Sequence, residues 1–273
     1  MFPRARVAVG EPADELKTGA SQRGGMGTIF VAYGDHDERE SVLTFAAERA
    51  AASGDDLFVY HIEESEDVSA AAVREEVAAV SVKNRANGAR NPRARFRDPV
   101  TVEEVVESRL VADPLRLYDC CPASDGGAAV VLAASDVARE FTDDPIDVLG
   151  TGHATGHNAA HRYEDLTTLD ATVTAAENAY AEAGVGPSDL DVVELHDCFT
   201  PAEIGDSEDL GLFEKGEGAR AVAEGRTEVG GEIPINPSGG LLSKGHPVGA
   251  TGIGQVYEIG RQLRGDHENQ VED

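Results

Sequence analysis

Reactive side chains cluster at the end of an apolar segment, in the run His196, Asp197 and Cys198. The preceding residues DVVEL predict a buried β-strand, and Pro201 predicts the first turn of a helix. The carboxyl ends of parallel strands are where open α/β sheets bind ligands. The positive end of the helix dipole would lower the pKa of the Cys198 thiol and make it a usable acid, base or nucleophile. The alternative is a small core residue, the usual role of an isolated cysteine.

A second imidazole lies in a glycine-rich stretch that begins at Asn236 and reads NPSGGLLSKGHPVGATG. Its glycines allow the backbone to approach a ligand closely, and Pro247 places His246 at the start of a helix. The stretch is not a phosphate-binding P-loop, because Lys244 is followed by Gly-His-Pro and not by Ser or Thr. A glycine-rich turn alone is weak evidence, but together with the run HDCF it makes a specific pair of motifs.

Three further histidines, His153, His157 and His161, recur every four residues. On a helix they would share one face and could bind a metal ion. Gly152 and Gly156 disfavour a helix here, and no acidic ligand lies within the same turn. We therefore expect no metal at these histidines, and a metal site is the alternative.

The elements that must position these groups follow from hydrophobic periodicity and turn residues. Residues 1–25 lack an amphipathic period and are expected to form a disordered leader. Residues 26–80 predict a parallel βαβα segment, with strands in GTIFVAY and DLFVYHI and helices in ERESVLTFAAERAAASG and DVSAAAVREEVAAV. Residues 81–99 are rich in Arg, Asn and Pro and predict a surface loop, so we expect a domain boundary near residue 80.

Residues 81–273 are expected to form one further α/β unit. Strands are predicted in GGAAVVLAAS, IDVLGTG and DVVEL, and helices in TVEEVVESR, SDVAREF, TLDATVTAAENAYAEAG, TPAEIGDSEDLG and IGQVYEIGRQLRG. No repeat of about 20–50 residues is visible, which excludes a solenoid.

The charge balance excludes two classes of partner. The 273 residues include 51 Asp and Glu against 23 Lys and Arg, for a formal net charge of −28. Such a field repels phosphate backbones and anionic lipids, so we expect neither nucleic acid nor a membrane surface as a partner. An acid excess with few lysines is typical of a halophilic protein, and the alternative is an ordinary acidic mesophile protein. The lysines are Lys17, Lys83, Lys215 and Lys244.

Cysteine content and hydropathy indicate the compartment. Cys120, Cys121 and Cys198 are too few and too poorly spaced for a disulfide framework, which argues for a reducing environment. No signal peptide opens the sequence, and no apolar run approaches the roughly 20 residues of a membrane span. We therefore expect a cytoplasmic protein.

The segments VVELHDCFTPAE and NPSGGLLSKGHPVGATGIGQ resemble the thiolase family, in its sterol-carrier-protein-like and archaeal acetyl-CoA acetyltransferase branch. KNRANGARNP, DPLRLYDCCPASDGGAAVVLA and TTLDATVTAAENAY resemble the same branch, so the resemblance covers about residues 81–273. It implies a layered α/β/α fold and an acyltransferase of lipid metabolism that catalyses the Claisen condensation of acyl-CoA or its thiolytic reverse. A nucleophilic cysteine would carry the acyl group, without a metal or a bound cofactor. The implied partners are acyl-CoA, further copies of the chain and hydroxymethylglutaryl-CoA synthase.

The resemblance also implies a role for each matching residue. His246 would be the base that activates the nucleophile, and it would later help to hold the thioester oxygen. Cys198 would remove a proton from the α-carbon of the second acyl group and return it in the reverse direction. His196 would position a water or a donor at an oxyanion hole. The implied substrate-binding residues are Asn236, Ser238, Gly239, Gly240, Gly245 and Ser124.

One part of the family pattern is missing from this sequence. The acyl-carrying cysteine of a thiolase lies in the first half of the subunit, which has no counterpart here. Cys120 and Cys121 do not replace it, because they precede a predicted strand that in the family lines the substrate channel. The sequence also stops before the closing glycine-rich strands of the family. We therefore expect an incomplete thiolase-like domain that is inactive by itself and needs a complementing thiolase half.

Residues 26–80 resemble the first half of a universal stress protein, a small flavodoxin-like fold that often binds ATP. Gly34 stands where such proteins usually carry Asp, and their glycine-rich phosphate loop has no counterpart here. We therefore expect a scaffold without a ligand. The alternative functions for the whole chain are a non-catalytic stress-response or nucleotide-binding module, or an inactive gene fragment.

The net charge predicts how stability depends on salt. Because −28 charges repel one another within one chain, molar KCl should screen the repulsion and raise the free energy of unfolding. We expect the Tm to rise steadily from low to molar KCl in thermal unfolding followed by circular dichroism. A Tm that stays flat or falls over this range contradicts the prediction.

Overall fold

The computed structural model describes residues 28–33, 56–61, 70–156, 165 and 167–272. The chain divides into two compact units, residues 1–72 and 73–273. The division therefore falls after residue 72, whereas the sequence analysis places it near residue 80. The predicted leader, residues 1–25, lies outside the described residues.

The first unit contains the two strands that the sequence predicts. Strand β1 (Thr28–Tyr33) pairs in parallel with β2 (Asp56–His61), with Thr28 opposite Asp56 and Tyr33 opposite His61. A parallel pair requires a crossover connection, and the predicted crossover helix lies outside the described residues. The parallel strand pair is confirmed, and the resemblance of this segment to a stress protein stays a prediction.

Helix α1 (Ala70–Arg90) continues through a segment predicted to be a loop. The loop prediction is therefore wrong for residues 81–90 and agrees with the irregular backbone only from residue 91 onward. The reason is that the polar side chains of this segment are not solvated. Ser81, Lys83, Asn84 and Asn87 are all buried and form hydrogen bonds inside the protein. Polar composition here reflects a buried hydrogen-bond network and not a surface.

The five helices predicted in the second unit are confirmed. Each observed helix end lies within three residues of the predicted one. Helix α2 (Val102–Glu107) begins with a capping box, in which the Thr101 hydroxyl accepts from Glu104 N–H and the Glu104 carboxylate accepts from Thr101 N–H. The other four are α3 (Ser135–Ala138), α4 (Asp170–Ala183), α5 (Thr200–Asp209) and α8 (Thr251–Leu263). Two helices were not predicted, α6 (Gly218–Ala223) and α7 (Gly240–Lys244).

The predicted strands of the second unit do not form. The segments around Val131 and Leu132, and around Val148 and Leu149, are irregular, and Val131 is 94% exposed. DVVEL forms only one parallel bridge, between Val193 and Ile235. A strand needs a neighbour to pair its backbone groups, and none stands beside the first two segments in the described part of the chain. The predicted α/β/α layering is therefore absent from the described residues.

The described part of the second unit contains one sheet, a short antiparallel ladder of two strands. It joins β3 (Leu110–Ala112) to β4 (Leu115–Arg116). The second unit combines many helices with few strands. This composition agrees with the α/β class but does not show the predicted layers. In the part of the chain that the structure describes, no helix is long and apolar enough to span a membrane.

The apolar interior of the second unit consists of separate small clusters. The largest packs Val193, Leu195, Phe213, Ala221, Ile233 and Ile235 together. A second joins α1 to α6 and α7 through Val80, Val222 and Leu242. These two clusters flank the segments that carry the predicted site residues.

Close backbone contact fixes α1 against α7. A side chain at Gly88 would place its Cβ 1.8 Å from Ser243 Oγ, and one at Gly239 would place its Cβ 2.7 Å from Gly88 Cα. Ser243 is fully buried and its hydroxyl donates to Phe96 C=O at 2.7 Å, so it has no room to move. The two elements can approach this closely only because glycine occupies both positions.

This contact predicts that Gly88→Ala destabilises the second unit. We expect a loss of about 2 kcal/mol or more in the free energy of unfolding, because overpacking a tight contact typically costs about 1–3 kcal/mol. The matched control is Gly254→Ala in α8, where an added Cβ meets no atom within 4 Å. Since alanine favours a helix over glycine by about 0.5–1 kcal/mol, the control should be neutral or stabilising in urea unfolding. Equal effects of the two substitutions would contradict this packing.

Candidate active site

A buried carboxylate on α5 joins three parts of the second unit. Glu203 is fully buried, and its Oε1 lies 2.7 Å from Lys83 Nζ. Its Oε2 accepts hydrogen bonds from Asn84 Nδ2 and Asn236 Nδ2, both at 2.8 Å. Lys83 and Asn84 lie on α1, whereas Asn236 lies in the loop before α7. One side chain therefore fixes α1, α5 and this loop relative to one another.

A second buried carboxylate, that of Asp197, fixes the residues of the HDCF run. Its Oδ1 accepts from Leu241 N–H at 2.7 Å, and its Oδ2 accepts from Leu242 N–H at 3.3 Å and from Asn84 Nδ2 at 2.8 Å. Asp197 thereby caps the first turn of α7. A Cβ at Gly240, where φ is 59°, would lie 2.1 Å from Asp197 Oδ2, so this position requires glycine.

The environment of Asp197 disfavours its charged form. Burial raises its pKa well above the usual range, and the nearby charge of Glu203 raises it further. The two backbone N–H donors and Lys83 lower the pKa but do not offset these effects. Asp197 is thus a structural carboxyl group between His196 and Cys198.

Asn236 holds the start of the glycine-rich stretch next to the end of DVVEL. Its Oδ1 accepts from Leu195 N–H at 3.0 Å, and its own N–H donates to Val193 C=O at 2.8 Å. Its φ of 52° lies in the left-handed region, which asparagine tolerates better than most residues. Asn236 is fully buried and positions the loop, while its contact with a substrate stays a prediction.

Ser238 and Lys244 anchor the two ends of the same stretch to one carboxylate. Glu194 accepts from Ser238 N–H at 2.9 Å and from Ser238 Oγ at 2.7 Å. Lys244 Nζ lies 3.7 Å from Glu194 Oε2 and also 3.7 Å from Glu258 Oε1 on α8. Ser238 is fully buried as well, and its predicted contact with a substrate stays a prediction.

The two imidazoles of the predicted site are in contact. The rings of His196 and His246 pack edge to face, with centroids 4.8 Å apart. Burial lowers the pKa of His196, and the neighbouring His246 lowers it further. His246 Nδ1 lies 2.8 Å from Thr251 Oγ1 in the first turn of α8, and its backbone N–H donates to Pro122 C=O at 3.1 Å.

Gly245 and Ser124 shape the turn that precedes His246. Gly245 has a φ of 102°, and a Cβ there would lie 2.5 Å from Ser124 Oγ. Ala123 and His246 form a parallel bridge beside this contact. The structure therefore brings both residues to His246, as the resemblance implies, while their contact with a substrate stays a prediction.

The prediction of a lowered pKa for Cys198 is wrong. Helix α5 begins only at Thr200, so the thiol lies ahead of the first turn of the helix. Burial raises the pKa of Cys198, and the carboxyl groups of Asp197 and Asp206 raise it further. The hydrogen bonds to the backbone N–H groups of Cys198 and Phe199 lower the pKa by less. The thiol is therefore protonated at neutral pH.

The other two cysteines are near Cys198 but are not activated either. Cys121 N–H donates to Cys198 C=O at 3.0 Å. Burial raises the pKa of Cys121 to about 11, with Cys198 and Asp197 as the next causes. Burial and the adjacent Asp119 raise the pKa of Cys120. That neither residue replaces the acyl-carrying cysteine stays a prediction.

The histidines weighed as metal ligands are only in part within the described residues. His153 is exposed, whereas His157 and His161 lie outside the described residues. Among the residues that the structure does describe, no group of three or more His, Cys, Asp or Glu side chains is placed to hold a metal ion. The absence of a metal at His153, His157 and His161 stays a prediction.

The residues that hold the site together belong to no motif that the sequence reveals. Lys83, Asn84, Glu194 and Glu203 are buried and bind the loops that carry His196, Cys198 and His246. The polar composition of the second half of α1 is typical of a surface loop, and Lys83 and Asn84 lie in that segment. The chain has 51 Asp and Glu residues, and nothing in the sequence distinguishes Glu194 and Glu203 from the others.

Comparisons with known proteins identify the family to which the second unit is similar. A family model described as thiolase C-terminal domain-like matches residues 152–273. The chain is 54% identical over 193 residues to an acetyl-CoA acetyltransferase of Methanothermobacter thermautotrophicus, which covers 71% of this chain and 50% of that protein. It is 38% identical over 197 residues to sterol carrier protein 2 of Homo sapiens, which covers 70% of this chain and 36% of that protein.

A solved structure is similar over a comparable share of the chain. The chain matches the structure titled Ltp2-ChsH2(DUF35) aldolase with a TM-score of 0.67 and 29% identity, over 73% of this chain and 53% of that chain. The chain thus spans about half the length of the acetyltransferase and of the aldolase chain, and about a third of sterol carrier protein 2. By the family model and by these relatives, the chain carries the C-terminal half of a protein of the thiolase family.

Proposed function

We propose that this chain supplies the acid–base and oxyanion residues of an acyl-CoA C-acyltransferase of the acetyl-CoA acetyltransferase type. The contact between His196 and His246, with ring centroids 4.8 Å apart, is the observation that carries the proposal. It places the imidazoles of two separate motifs in one site, one of them two residues before Cys198. The reaction is Claisen condensation of two acyl-CoA molecules or the thiolytic reverse.

The hydrogen bonds of His246 suit a general base. The Thr251 hydroxyl donates to Pro247 C=O at 3.5 Å, so it is free to accept from His246 Nδ1–H at 2.8 Å. This arrangement assigns the proton to Nδ1 and leaves Nε2 with its lone pair. A thiol at its ordinary pKa is mostly protonated at neutral pH, and Nε2 would remove that proton to create the nucleophile.

His196 would work as a neutral group. Because burial and His246 lower its pKa, the imidazole stays uncharged at neutral pH and can donate one hydrogen bond through a ring N–H. Preorganised donors at an oxyanion hole stabilise the enolate or alkoxide charge that develops in the transition state. His196 would direct a water or its own N–H to that charge.

The raised pKa of Cys198 bears on the direction of proton transfer. A neutral thiol is the form that gives a proton to the α-carbon, as thiolysis requires when the carbon–carbon bond breaks. In the condensation direction the same group must first lose its proton in order to remove one from the α-carbon. Burial and the charges of Asp197 and Asp206 therefore favour the protonating role in the free chain.

The acyl group would be carried by a cysteine of another polypeptide, since the cysteines of this sequence are Cys120, Cys121 and Cys198. Cys120, Cys121 and Cys198 all have raised pKa values, which suits none of them to be the activated nucleophile. We infer that a polypeptide equivalent to the first half of a thiolase provides it. A homo-oligomer, hydroxymethylglutaryl-CoA synthase as a further partner, and a place in the lipid metabolism of a halophilic cytoplasm belong to the same proposal.

The proposal predicts activity that depends on complementation and on His246. The full chain is mixed with the first half of the archaeal acetyltransferase relative, and thiolysis of acetoacetyl-CoA is followed by the loss of its enolate absorbance. Each component alone should show background rates, and the mixture should turn over. His246→Ala should lower the rate of the mixture by about 100-fold or more, because loss of a general base or an oxyanion donor alone costs at least that much.

The matched control is His153→Ala, which removes an exposed imidazole outside the proposed site. It should change the rate of the mixture by less than about twofold, and chelators should have no effect. Turnover by the chain alone that disappears in Cys198→Ala would make Cys198 the nucleophile and overturn the proposal. An activity that is sensitive to chelators and to His153→Ala would move the chemistry to the metal-site alternative.

The contact between the imidazoles predicts a specific titration. In NMR spectra of the full chain, the ring protons of His196 should titrate with a midpoint below that of a free imidazole, so the ring gains its proton only at more acidic pH. His246→Ala should move this midpoint upward, since it removes one of the two causes of the lowered pKa. His153→Ala should leave it in place. A His196 midpoint that does not respond to His246→Ala would mean that the rings are not in contact.

A further inference from the structure

Two cysteines lie opposite each other across a pair of extended segments. Cys120 and Phe199 form an isolated antiparallel bridge, and continuing its register by one residue sets Cys121 opposite Cys198. The hydrogen bond from Cys121 N–H to Cys198 C=O at 3.0 Å agrees with this register. Side chains of opposed residues leave an antiparallel ladder on the same face, with Cβ atoms about 4.5–5.5 Å apart. The two thiols therefore share one face.

The electrostatics of the thiols agree with this placement. The charge of Cys198 is the second cause, after burial, that raises the pKa of Cys121 to about 11. Such an interaction requires the two sulfur atoms to be near each other. Both cysteines are free and partly buried, so they form a neutral dithiol pair at ordinary pH.

The backbone spacing of two opposed antiparallel residues is compatible with a disulfide. Opposed residues of an antiparallel ladder have Cα atoms about 4.5–5.5 Å apart, and disulfides span about 4.4–6.8 Å between Cα atoms. Only a small approach of the Cβ atoms, to about 3.5–4.5 Å, is then needed. Cys120 is placed differently, because it is opposite Phe199 and successive side chains of an extended segment point to opposite faces.

We propose that Cys121 and Cys198 form a reversible intramolecular disulfide when the protein meets a low-molecular-weight disulfide as oxidant. The thiolate of one cysteine attacks the S–S bond of the oxidant, forms a mixed disulfide and releases one thiol. The thiolate of the other cysteine attacks the protein sulfur of the mixed disulfide, forms the bond between Cys121 and Cys198 and releases the second thiol. The protein loses two electrons and two protons, and the oxidant is reduced to two thiols.

The oxidation would also block the chemistry of the site, and this consequence alone rests on the proposed function. A disulfide sulfur neither accepts nor donates a proton, so oxidised Cys198 could not exchange a proton with the α-carbon of an acyl group. Reduction would restore the thiol. The disulfide itself follows from the ladder and does not depend on which reaction the site catalyses.

The experiment maps the thiols of the native full chain without reference to activity. The protein is incubated with oxidised glutathione, unfolded in the presence of an alkylating reagent, digested and analysed by mass spectrometry. Of the three cysteines, we expect only Cys120 to be alkylated, with a cross-linked peptide pair that joins Cys121 to Cys198. Treatment with a reductant before unfolding should return all three thiols.

Two variants identify the cysteine that forms the bond. Cys120→Ser should give the same cross-link and leave no alkylated cysteine, whereas Cys121→Ser should give no intramolecular cross-link. Three alkylated cysteines in the wild-type protein, a bond to Cys120, or glutathione adducts without a cross-link would each overturn the proposal. Because the wild-type map decides between these outcomes, the proposal stays testable even where a variant fails to fold.

Discussion

The ion pair between Lys83 and Glu203 is the interaction on which the arrangement of the candidate site depends. Both groups are buried, and their atoms are 2.7 Å apart. A buried charge without a partner costs several kcal/mol, so neither side chain can be removed without leaving the other in an unfavourable environment. Asn84 and Asn236 also donate to Glu203, and Lys83 Nζ donates to Ile235 C=O at 2.6 Å. The donors to the Glu203 carboxylate thus come from α1 and from the loop before α7, while the carboxylate itself lies on α5.

The same network contains a second carboxyl group, that of Asp197. Among the described residues, no ion pair of the kind that joins Lys83 to Glu203 is formed by Asp197. Asp197 therefore has a raised pKa, caused first by burial and next by Glu203. The Asp197 carboxyl group accepts hydrogen bonds from Leu241 N–H and Leu242 N–H. These bonds fix the HDCF run against α7. The middle residue of the motif contributes by positioning its two neighbours, His196 and Cys198. This explains how two loops that are far apart in sequence present their imidazoles to each other.

Five helices of the second unit were predictable from the sequence because their apolar periodicity and end signals are local, whereas α6, α7 and residues 81–90 of α1 were not. The ends of α4 and α8 were found in this way, and α4 stops at Gly184 in the left-handed conformation that such an end requires. The strands predicted in the second unit do not form, because a strand depends on a partner that composition does not reveal, whereas the parallel pair of β1 and β2 is confirmed. The segment with Val131 and Leu132 has a strand composition and no neighbour in the described residues.

The sequence motifs of the site were predictable, but the direction of the Cys198 pKa shift and the buried residues around the site were not. The HDCF and GHPVGATG segments were found together, and the structure brings His196 and His246 into contact. The pKa of Cys198 was predicted in the wrong direction, because its burial and the carboxyl groups of Asp197 and Asp206 outweigh any effect of the helix. Those carboxyl groups are neighbours only in the folded chain, and Lys83 and Asn84 were hidden in a segment whose polarity resembles that of a loop.

The apolar segments of the second unit give the chain two opposite responses to salt. Val131 and Leu132 are 94% and 79% exposed, and Val148 and Leu149 are 65% and 66% exposed. Salt that screens the carboxylates does nothing to hydrate these side chains, and excluded salts make exposed apolar area more unfavourable. In a concentrated brine the charged surface is therefore relieved while these four residues favour contact with another apolar surface. The association state of the chain in such a solvent is consequently set by protein concentration as well as by the stability of the fold.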